Sequence, residues 1–563
     1  MEQSTASPRT TTINIDDIIT VLRIATQNQY SARELHTTNA TIELNFTSLF
    51  GQDYEYQLIS NTNGELSLYY PRRILVPTID KWSNITTSKI QTTLDLRDYF
   101  VRSRIARCRS RFVVPVILID GKYICRSSTV ASWGEVYSRS GVDRLLDTST
   151  RTTAPLILDS PVNPSGVTTD LDGPPNIAIE GAAAAAASSN TEVPQQQNIF
   201  DKLRGADIDL LKVLDVSSIV NLMVEKRKIM FGVNVTSSEN SDKENRYRDF
   251  QLLILPYPGC EHFRDFSVQR YNGELMFYDW SLPLNDSSFH VPERVSSLVK
   301  TDWSFWKSWN SIDLTKNYLQ LIIRHLEIDE HGLLVHCISG WDRTPLFISL
   351  LRLSLWADGW IHQSLTVEEI LYLTLAYDWY LFGHCLPERL LRGEEILYFA
   401  FMMLPHLSSN DFVYKRSNNP PNSQLNTTTS DRSESVYSIS ALTRLNDANS
   451  NSSPPVDTTD HSTINFNRNA DEISFAQKSD LNSNEEHENT SSPPKTIREE
   501  KLLAVSHLFQ LCYRTVIPNR PPPVASNTNL LPQGLSAFNP RPIGREIARS
   551  FNNFIGQWRT QPR

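Results

Sequence analysis

The residues best suited to chemistry lie in one short stretch, residues 336–344, which reads HCISGWDRT. The apolar residues Leu333, Leu334 and Val335 before it predict a buried strand, and the apolar residues after it predict a helix. A loop that leads from a strand into a helix points several backbone N–H groups inward, and the helix dipole adds positive potential. The stretch therefore predicts an anion site that suits phosphate.

Cys337 and Arg343 have the types and spacing of a nucleophile and a phosphate-binding cation. The loop N–H groups, the helix dipole and the neighbouring His336 would stabilise a thiolate, which is the form that attacks phosphorus. Arg343 can hold two phosphoryl oxygens with its planar guanidinium, and Thr344 can donate a hydrogen bond to the thiolate. Asp342 is a candidate general acid. We expect the phosphoryl oxygens to bind the backbone N–H groups of Ile338, Ser339, Gly340, Trp341, Asp342 and Arg343.

Two other carboxylates are further candidates for the general acid. Asp302 and Asp279 both precede the loop in the chain, at a distance that a separate acid-bearing loop could have. Aspartates in such positions more often cap a helix or stabilise a turn, and we favour that interpretation for both.

HCISGWDRT resembles the HCxxGWDRT signature of the myotubularin lipid phosphatases. Residues 111–146 are also similar to the opening of that phosphatase domain, and residues 376–395 are similar to its EWxxFGHKF stretch. Ser339 departs from the family pattern, because most active members have Asp at this position. Serine cannot do acid–base work at neutral pH, so the resemblance leaves Asp342 as the favoured acid.

The resemblance implies a cysteine-dependent phosphoinositide 3-phosphatase. Its expected substrates are phosphatidylinositol 3-phosphate and phosphatidylinositol 3,5-bisphosphate, hydrolysed through a phosphocysteine intermediate without a cofactor or metal. The expected fold is α/β, a protein tyrosine phosphatase-like mixed sheet flanked by helices. The helix that supports the active site would carry Trp379, Phe382, Gly383 and His384.

Two alternative functions stay open. A protein tyrosine phosphatase uses the same loop chemistry on phosphotyrosine. A catalytically silent adaptor is the second alternative, although silent members of the family typically lose the cysteine or the arginine, and Cys337 and Arg343 are both present.

The composition predicts a cytoplasmic protein that does not bind nucleic acid. The 563 residues carry a net charge of -9, which disfavours nucleic-acid binding through bulk charge. The N-terminus has no secretory signal pattern, and no apolar run is long enough to span a bilayer. We therefore expect at most peripheral contact with membranes, and the resemblance suggests endosomal or autophagic ones. Reduced thiols and no metal site are expected from six scattered cysteines: Cys108, Cys125, Cys260, Cys337, Cys385 and Cys512.

Residues 1–89 predict a helix followed by a small β-rich region. Apolar spacing favours a helix over residues 15–30, and an Asn63-Gly64 turn signals a hairpin. Two interpretations fit, a reduced form of the family's PH-GRAM lipid-binding domain or an extension of the catalytic domain. The predicted strands are residues 41–46, 54–59, 65–70 and 73–77.

Five arginines lie within residues 102–111, directly before a predicted strand pair around Asp120-Gly121. They could face anionic lipid head groups, or they could guard a solvated edge strand with charge. The five are Arg102, Arg104, Arg107, Arg109 and Arg111.

The predicted phosphatase domain comprises residues 90–147 and 200–407, with alternating helices and strands. Thr366 opens a capping-box pattern before one of its helices. Helices are expected at residues 207–224, 302–326 and 345–360, and strands at residues 229–235 and 250–257.

Three further segments flank or interrupt that domain. Residues 148–199, with an alanine run at 182–187, predict a disordered insertion, and residues 408–496 predict a disordered linker. Residues 497–563 contain two amphipathic segments, at 499–517 and 543–558. These segments could lie in a membrane interface, pair with a partner or dock on the catalytic domain, and we favour docking.

Overall fold

The computed structural model describes residues 12–34, 36–83, 96–132, 193–230, 233–242, 244–283, 285–416 and 496–518. These residues fall within one compact unit, Met1–Pro521, and the second unit, Pro522–Arg563, lies outside them. Residues 148–192 of the predicted insertion, residues 417–495 of the predicted linker and the segment at 543–558 also lie outside the described residues. The predicted bounds are too wide, because residues 193–199 belong to the helix Val193–Val213 and residues 408–416 include a short 3-10 helix, Asn410–Phe412.

The chain alternates between helices and strands. The strands are β1 Tyr54–Ser60, β2 Arg73–Asp80, β3 Val114–Ile119, β4 Lys122–Ser128, β5 Val216–Asn221, β6 Arg227–Met230, β7 Val233–Ser237, β8 Gln251–Ile254 and β9 Gly332–Cys337. The helices are α1 Ile15–Gln27, α2 Thr37–Asp53, α3 Leu96–Ser103, α4 Val193–Val213, α5 Asp265–Val268, α6 Glu293–Ser296, α7 Ser311–Ile328, α8 Arg343–Ala357, α9 Val367–Leu373, α10 Leu386–Arg392, α11 Ile396–Met402 and α12 Ile497–Val516.

A five-stranded sheet with the order β3, β4, β9, β5, β8 forms the centre of the fold. β4, β9, β5 and β8 run parallel, and β3 is antiparallel to β4. Every residue of β9 is buried, as is usual for a parallel strand covered on both faces. Every residue of α8 is buried as well, and the helix packs against β9. The predicted mixed α/β sheet flanked by helices is confirmed.

The prediction of a strand at residues 41–46 is wrong, because these residues lie within α2. Their short alternation of apolar and polar residues belongs to a longer pattern of helical period. Helical packing overrides the local strand pattern, and α2 buries Asn39, Ile42, Glu43, Phe46, Leu49, Phe50 and Asp53.

The prediction of a strand at residues 65–70 is also wrong. The Asn61 side chain holds this segment as a loop, since its Oδ1 accepts hydrogen bonds from the Leu66 and Ser67 N–H groups. Its Nδ2 donates to the carbonyls of Ser67, Tyr70 and Pro71. The hairpin therefore joins β1 to β2 across this loop.

Two predicted helices end earlier or start later than expected. Residues 207–224 divide into the end of α4 and the strand β5, with Asp215 at a positive φ of 53° between them. Residues 302–326 divide at Asn310, whose side chain accepts a hydrogen bond from Asp313 N and so starts α7. In contrast, the Thr366 capping box forms with Glu369 as predicted.

The N-terminal and C-terminal elements both pack on the sheet domain. Tyr70 Oη donates to Phe112 O at 2.6 Å, and Tyr123 Oη donates to Pro77 O at 2.6 Å, so the two-stranded β1–β2 sheet is bonded to the central domain. The predicted apolar face of α12 is buried, and Phe509 stacks on Phe401 with ring centroids 4.0 Å apart.

Candidate active site

The loop between β9 and α8 surrounds the Cys337 sulfur with hydrogen-bond donors. Cys337 ends β9 and is 3% exposed. Gly340 N lies 3.3 Å from Cys337 Sγ, and Thr344 Oγ1 lies 3.2 Å from it. Both groups donate to the sulfur, which suits a thiolate because a thiol accepts hydrogen bonds only weakly. The predicted contact of Thr344 with the sulfur is therefore present.

Gly340 gives the loop a turn that a larger residue could not make. Its φ is +68°, and an added Cβ would lie 2.7 Å from Ser127 O. The Gly340 carbonyl points away from the sulfur and accepts hydrogen bonds from Arg111 Nη2 and Arg126 Nη2, both at 3.0 Å. This arrangement turns the Gly340 N–H toward Cys337.

Arg343 is held at the start of α8 by backbone oxygens. Its Nη1 donates to Leu222 O and Tyr257 O, both at 3.0 Å. Burial alone would lower the pKa of Arg343, but the carboxylate of Glu225 and the Cys337 sulfur raise it above its ordinary value. The guanidinium therefore stays charged beside the loop, as phosphate binding requires.

Two more buried guanidinium groups lie close to the loop, and the sequence did not predict this position for them. Arg111 also donates to Tyr69 O at 2.8 Å, and Arg126 donates to Asp378 O at 2.6 Å. Burial lowers the pKa of Arg111 to about 9, and it also lowers the pKa of Arg126. Neither makes an ion pair with a carboxylate at salt-bridge distance within the described residues. A charged residue in the middle of a predicted strand, β4, was the available signal for Arg126.

Asp342 is fully engaged in an ion pair. Arg389 Nε lies 3.0 Å from Asp342 Oδ1, and Arg389 Nη2 lies 3.2 Å from Oδ2. His384 Nδ1 lies 3.1 Å from Oδ1 and 2.9 Å from Trp341 O. Burial alone would raise the pKa of Asp342, but His384 and Arg389 lower it to about 2. His384 thus supports the loop, and the role of Asp342 as general acid stays a prediction.

His336 lies in a buried ion network next to the loop. Its Nε2 is 3.0 Å from Glu239 Oε2, and Glu239 also pairs with Arg107 at 2.8 Å. Arg107 makes two hydrogen bonds to the Asp207 carboxylate, each of 2.9 Å, and Tyr247 Oη donates to Asp207 at 2.7 Å. The network fixes the end of β9, from which Cys337 projects.

The remaining loop residues differ in exposure. Ile338 is buried, and its carbonyl accepts a hydrogen bond from Thr129 N. Ser339 is half-buried and accepts a hydrogen bond of 2.8 Å from Arg109 Nη1. The Arg109 guanidinium lies 4.9 Å from the ring centroid of Trp341. Arg109 is thus the outermost arginine of the site.

Comparison with known proteins finds relatives named as a phosphoinositide 3-phosphatase or as a myotubularin-related protein. This chain is 44% identical over 402 residues to a human protein named phosphatidylinositol-3,5-bisphosphate 3-phosphatase MTMR14. The aligned region covers 69% of this chain and 57% of the relative. The mouse protein of that name is 44% identical over 386 residues, covering 66% and 54%. The chain belongs to the myotubularin-related family. A myotubularin-related protein of Dictyostelium discoideum is 33% identical over 95 residues, covering 15% and 7%. No family model matches the chain.

This myotubularin-related chain spans little more than half the length of its human and mouse relatives. No helix in the described ranges is long and apolar enough to cross a membrane. Within the same ranges, no group of three or more His, Cys, Asp or Glu side chains is placed to hold a metal ion.

The two other acid candidates are exposed aspartates that stabilise local turns in this myotubularin-related chain. Asp302 caps a short 3-10 helix, Trp303–Ser308, and accepts hydrogen bonds from Ser304 N and Oγ at 2.9 and 2.6 Å. Asp279 accepts the same pair of bonds from Ser281. These bonds lower the pKa of both carboxyl groups, so each is ionised at neutral pH.

Proposed function

We propose that this chain is a cysteine-dependent phosphoinositide 3-phosphatase. Its substrates would be phosphatidylinositol 3-phosphate and phosphatidylinositol 3,5-bisphosphate. The observation that carries the proposal is the Cys337 sulfur, which accepts hydrogen bonds from Gly340 and Thr344 in a loop that ends at the buried Arg343. The names of the human and mouse relatives support the lipid class.

The proposed reaction has two displacements at phosphorus. Cys337 attacks the phosphoryl group, so that an S–P bond forms and the P–O bond to inositol breaks. The loop N–H groups and Arg343 bind the phosphoryl oxygens, and Arg111 and Arg126 add positive potential from below. Water then attacks phosphorus and releases phosphate and the thiolate, which Thr344 stabilises with its hydroxyl. We propose that no metal or cofactor takes part.

The sequence proposes Asp342 as the proton donor, a role that requires bound substrate to free its carboxylate from Arg389 and His384. Asp342→Asn tests this role, since removal of the true donor lowers the hydrolysis rate by about 10²-fold or more while lipid binding is kept. Full activity in Asp342→Asn would exclude it as the donor.

The proposed place of action is the cytoplasmic surface of endosomal or autophagic membranes, with peripheral contact. A phosphoinositide head group is presented at such a surface, and the buried arginines suit its negative charge. Protein partners are not assigned.

The experiment that tests the proposal measures phosphate release from every phosphoinositide isomer and from phosphotyrosine peptides, without added metal. Release from 3-phosphorylated lipids that is lost in Cys337→Ser is the expected result. Cys512→Ser is the matched control, since Cys512 is also buried but lies in α12. Release from peptides alone would assign a protein tyrosine phosphatase, and no release from any substrate would favour the silent adaptor.

A further inference from the structure

The segment that follows β5 forms one wall of the phosphate site. β5 is the direct neighbour of β9 and runs parallel to it, with Asn221 opposite His336. Both strands therefore leave the sheet at the same edge. Leu222 N donates to His336 O at 3.0 Å, and Leu222 O accepts from Arg343 Nη1 at 3.0 Å. Residues 222–226 thus lie beside the catalytic loop.

Glu225 on this wall has a carboxylate oxygen close to Arg343. Its Oε2 lies 4.0 Å from Arg343 Nη1, and the side chain is 14% exposed. This oxygen is buried and has no hydrogen-bond partner among the described residues. A buried carboxylate oxygen with an open hydrogen-bonding position is uncommon, so a ligand bound beside Arg343 is expected to fill it.

The backbone on either side of Glu225 is fixed. Ser287 N donates to Val224 O at 2.9 Å, and Lys226 N donates to Asp286 Oδ1 at 2.6 Å. A carboxyl group on a fixed segment can meet a reacting atom without a large loop movement.

The three aspartates that the sequence proposes as acids are already engaged. Both oxygens of Asp342 accept hydrogen bonds from Arg389, and Oδ1 of Asp279 and Oδ1 of Asp302 each accept hydrogen bonds from a serine at an exposed turn. Compared with these three, Glu225 alone combines burial, proximity to Arg343 and an oxygen without a hydrogen-bond partner among the described residues.

We propose that Glu225, in place of Asp342, is the proton donor to the leaving inositol oxygen, an inference that rests on the proposed function and replaces only the donor named there. In the proposed reaction the phosphate ester binds while the Glu225 carboxyl carries a proton. When the S–P bond forms and the P–O bond breaks, the Glu225 carboxyl gives its proton to the departing oxygen. The resulting carboxylate takes a proton from the water that attacks phosphocysteine, so the carboxyl group is restored with each turnover.

The test compares two leaving groups in wild type and Glu225→Gln. The substrates are a water-soluble short-chain phosphatidylinositol 3-phosphate and para-nitrophenyl phosphate, whose phenolate leaves without a proton. We expect kcat to fall about 10²–10⁴-fold with the lipid and to change little with the aryl phosphate. Retained aryl phosphatase activity also shows that the variant is folded and that its loop is intact.

Glu261→Gln is the matched control, because Glu261 is exposed and also raises the pKa of Arg343 through its charge. It should leave both activities near wild type. Equal losses with both substrates in Glu225→Gln would overturn proton donation and assign Glu225 to the positioning of Arg343. Full lipid activity in Glu225→Gln would also overturn the inference. A wild-type protein that is inactive on both substrates would overturn the proposed function as well.

Discussion

Buried arginines near β4 occur in two different settings. Arg107 is neutralised by Asp207 and Glu239, at 2.9 and 2.8 Å. Arg111 and Arg126 instead donate to backbone carbonyls, including that of Gly340. Burial alone would lower the pKa of Arg107, but its two carboxylates raise it, whereas burial lowers the pKa of Arg111 to about 9.

The difference separates a structural cluster from a site that needs an anion. A buried cation with paired carboxylates is satisfied in the resting protein. A buried cation without such partners is costly until a ligand brings negative charge, and functional sites commonly accept that kind of cost. The positive charge of Arg111 and Arg126 is therefore best explained by the phosphate that the loop is proposed to bind.

Arg107→Met should have the largest effect on stability. It would leave Asp207 and Glu239 buried without their cation, which costs about 3–5 kcal/mol. Urea unfolding of wild type and variant measures the loss. Arg102→Met is the matched control, because Arg102 is exposed and its removal should change the free energy of unfolding little. A stable Arg107→Met protein would show that the network does not hold the fold.

Arg111→Met should lower activity without lowering stability, in contrast to Arg107→Met. Removing a buried cation without a carboxylate partner should leave the unfolding midpoint unchanged or higher, while phosphatase activity falls about tenfold or more. Parallel measurements of the unfolding midpoint and of kcat/KM check both halves. If stability falls as much as in Arg107→Met and activity per folded molecule is kept, then Arg111 is a structural residue like Arg107. The distinction between buried arginines with and without carboxylate partners would then be wrong.

The sequence was sufficient for the parts of the site that are local in the chain. Cys337, Gly340, Arg343 and Thr344 lie within eight residues, and strand-to-helix patterning places them in one loop. Asp342 and Arg389, which form an ion pair, are 47 positions apart in the chain, and such a long-range pairing cannot be predicted from a single sequence. The local sequence pattern also gave a wrong strand prediction at residues 41–46, because tertiary packing makes these residues part of the helix α2.

Asp342, like Asp207 and Glu239, is paired with a buried arginine, so its contribution to the free energy of unfolding should depend on pH. Its pKa falls from 3.8 to about 2 on folding, so the folded state favours the carboxylate. The stabilisation, about 2 kcal/mol, is present above the unfolded pKa and is lost as the pH falls through the folded pKa. Unfolding of wild type and Asp342→Asn should therefore differ at pH 7 and converge between about pH 4 and pH 2.

Asp279→Asn is the control for that measurement. Asp279 is exposed and its carboxylate accepts hydrogen bonds from Ser281, so its replacement by Asn should have little effect on stability at any pH. A gap between wild type and Asp342→Asn that persists at the acid end would mean that the ion pair with Arg389 is not its source.

Ser339→Ala should have the smallest effect, because the contact of Arg109 with Ser339 is at the half-buried rim of the site. The hydroxyl accepts one hydrogen bond, and solvent can replace it, so the loss of stability should not exceed about 0.5–1.5 kcal/mol. Hydrolysis should stay near wild type, since Ser339 contributes its backbone N–H to the proposed phosphate site. Thr344→Val gives the contrast, because it removes the buried hydroxyl 3.2 Å from Cys337 Sγ and should slow release of the thiolate. Equal kinetic losses in the two variants would place the Ser339 hydroxyl in the catalytic machinery and extend the phosphate site outward to Arg109.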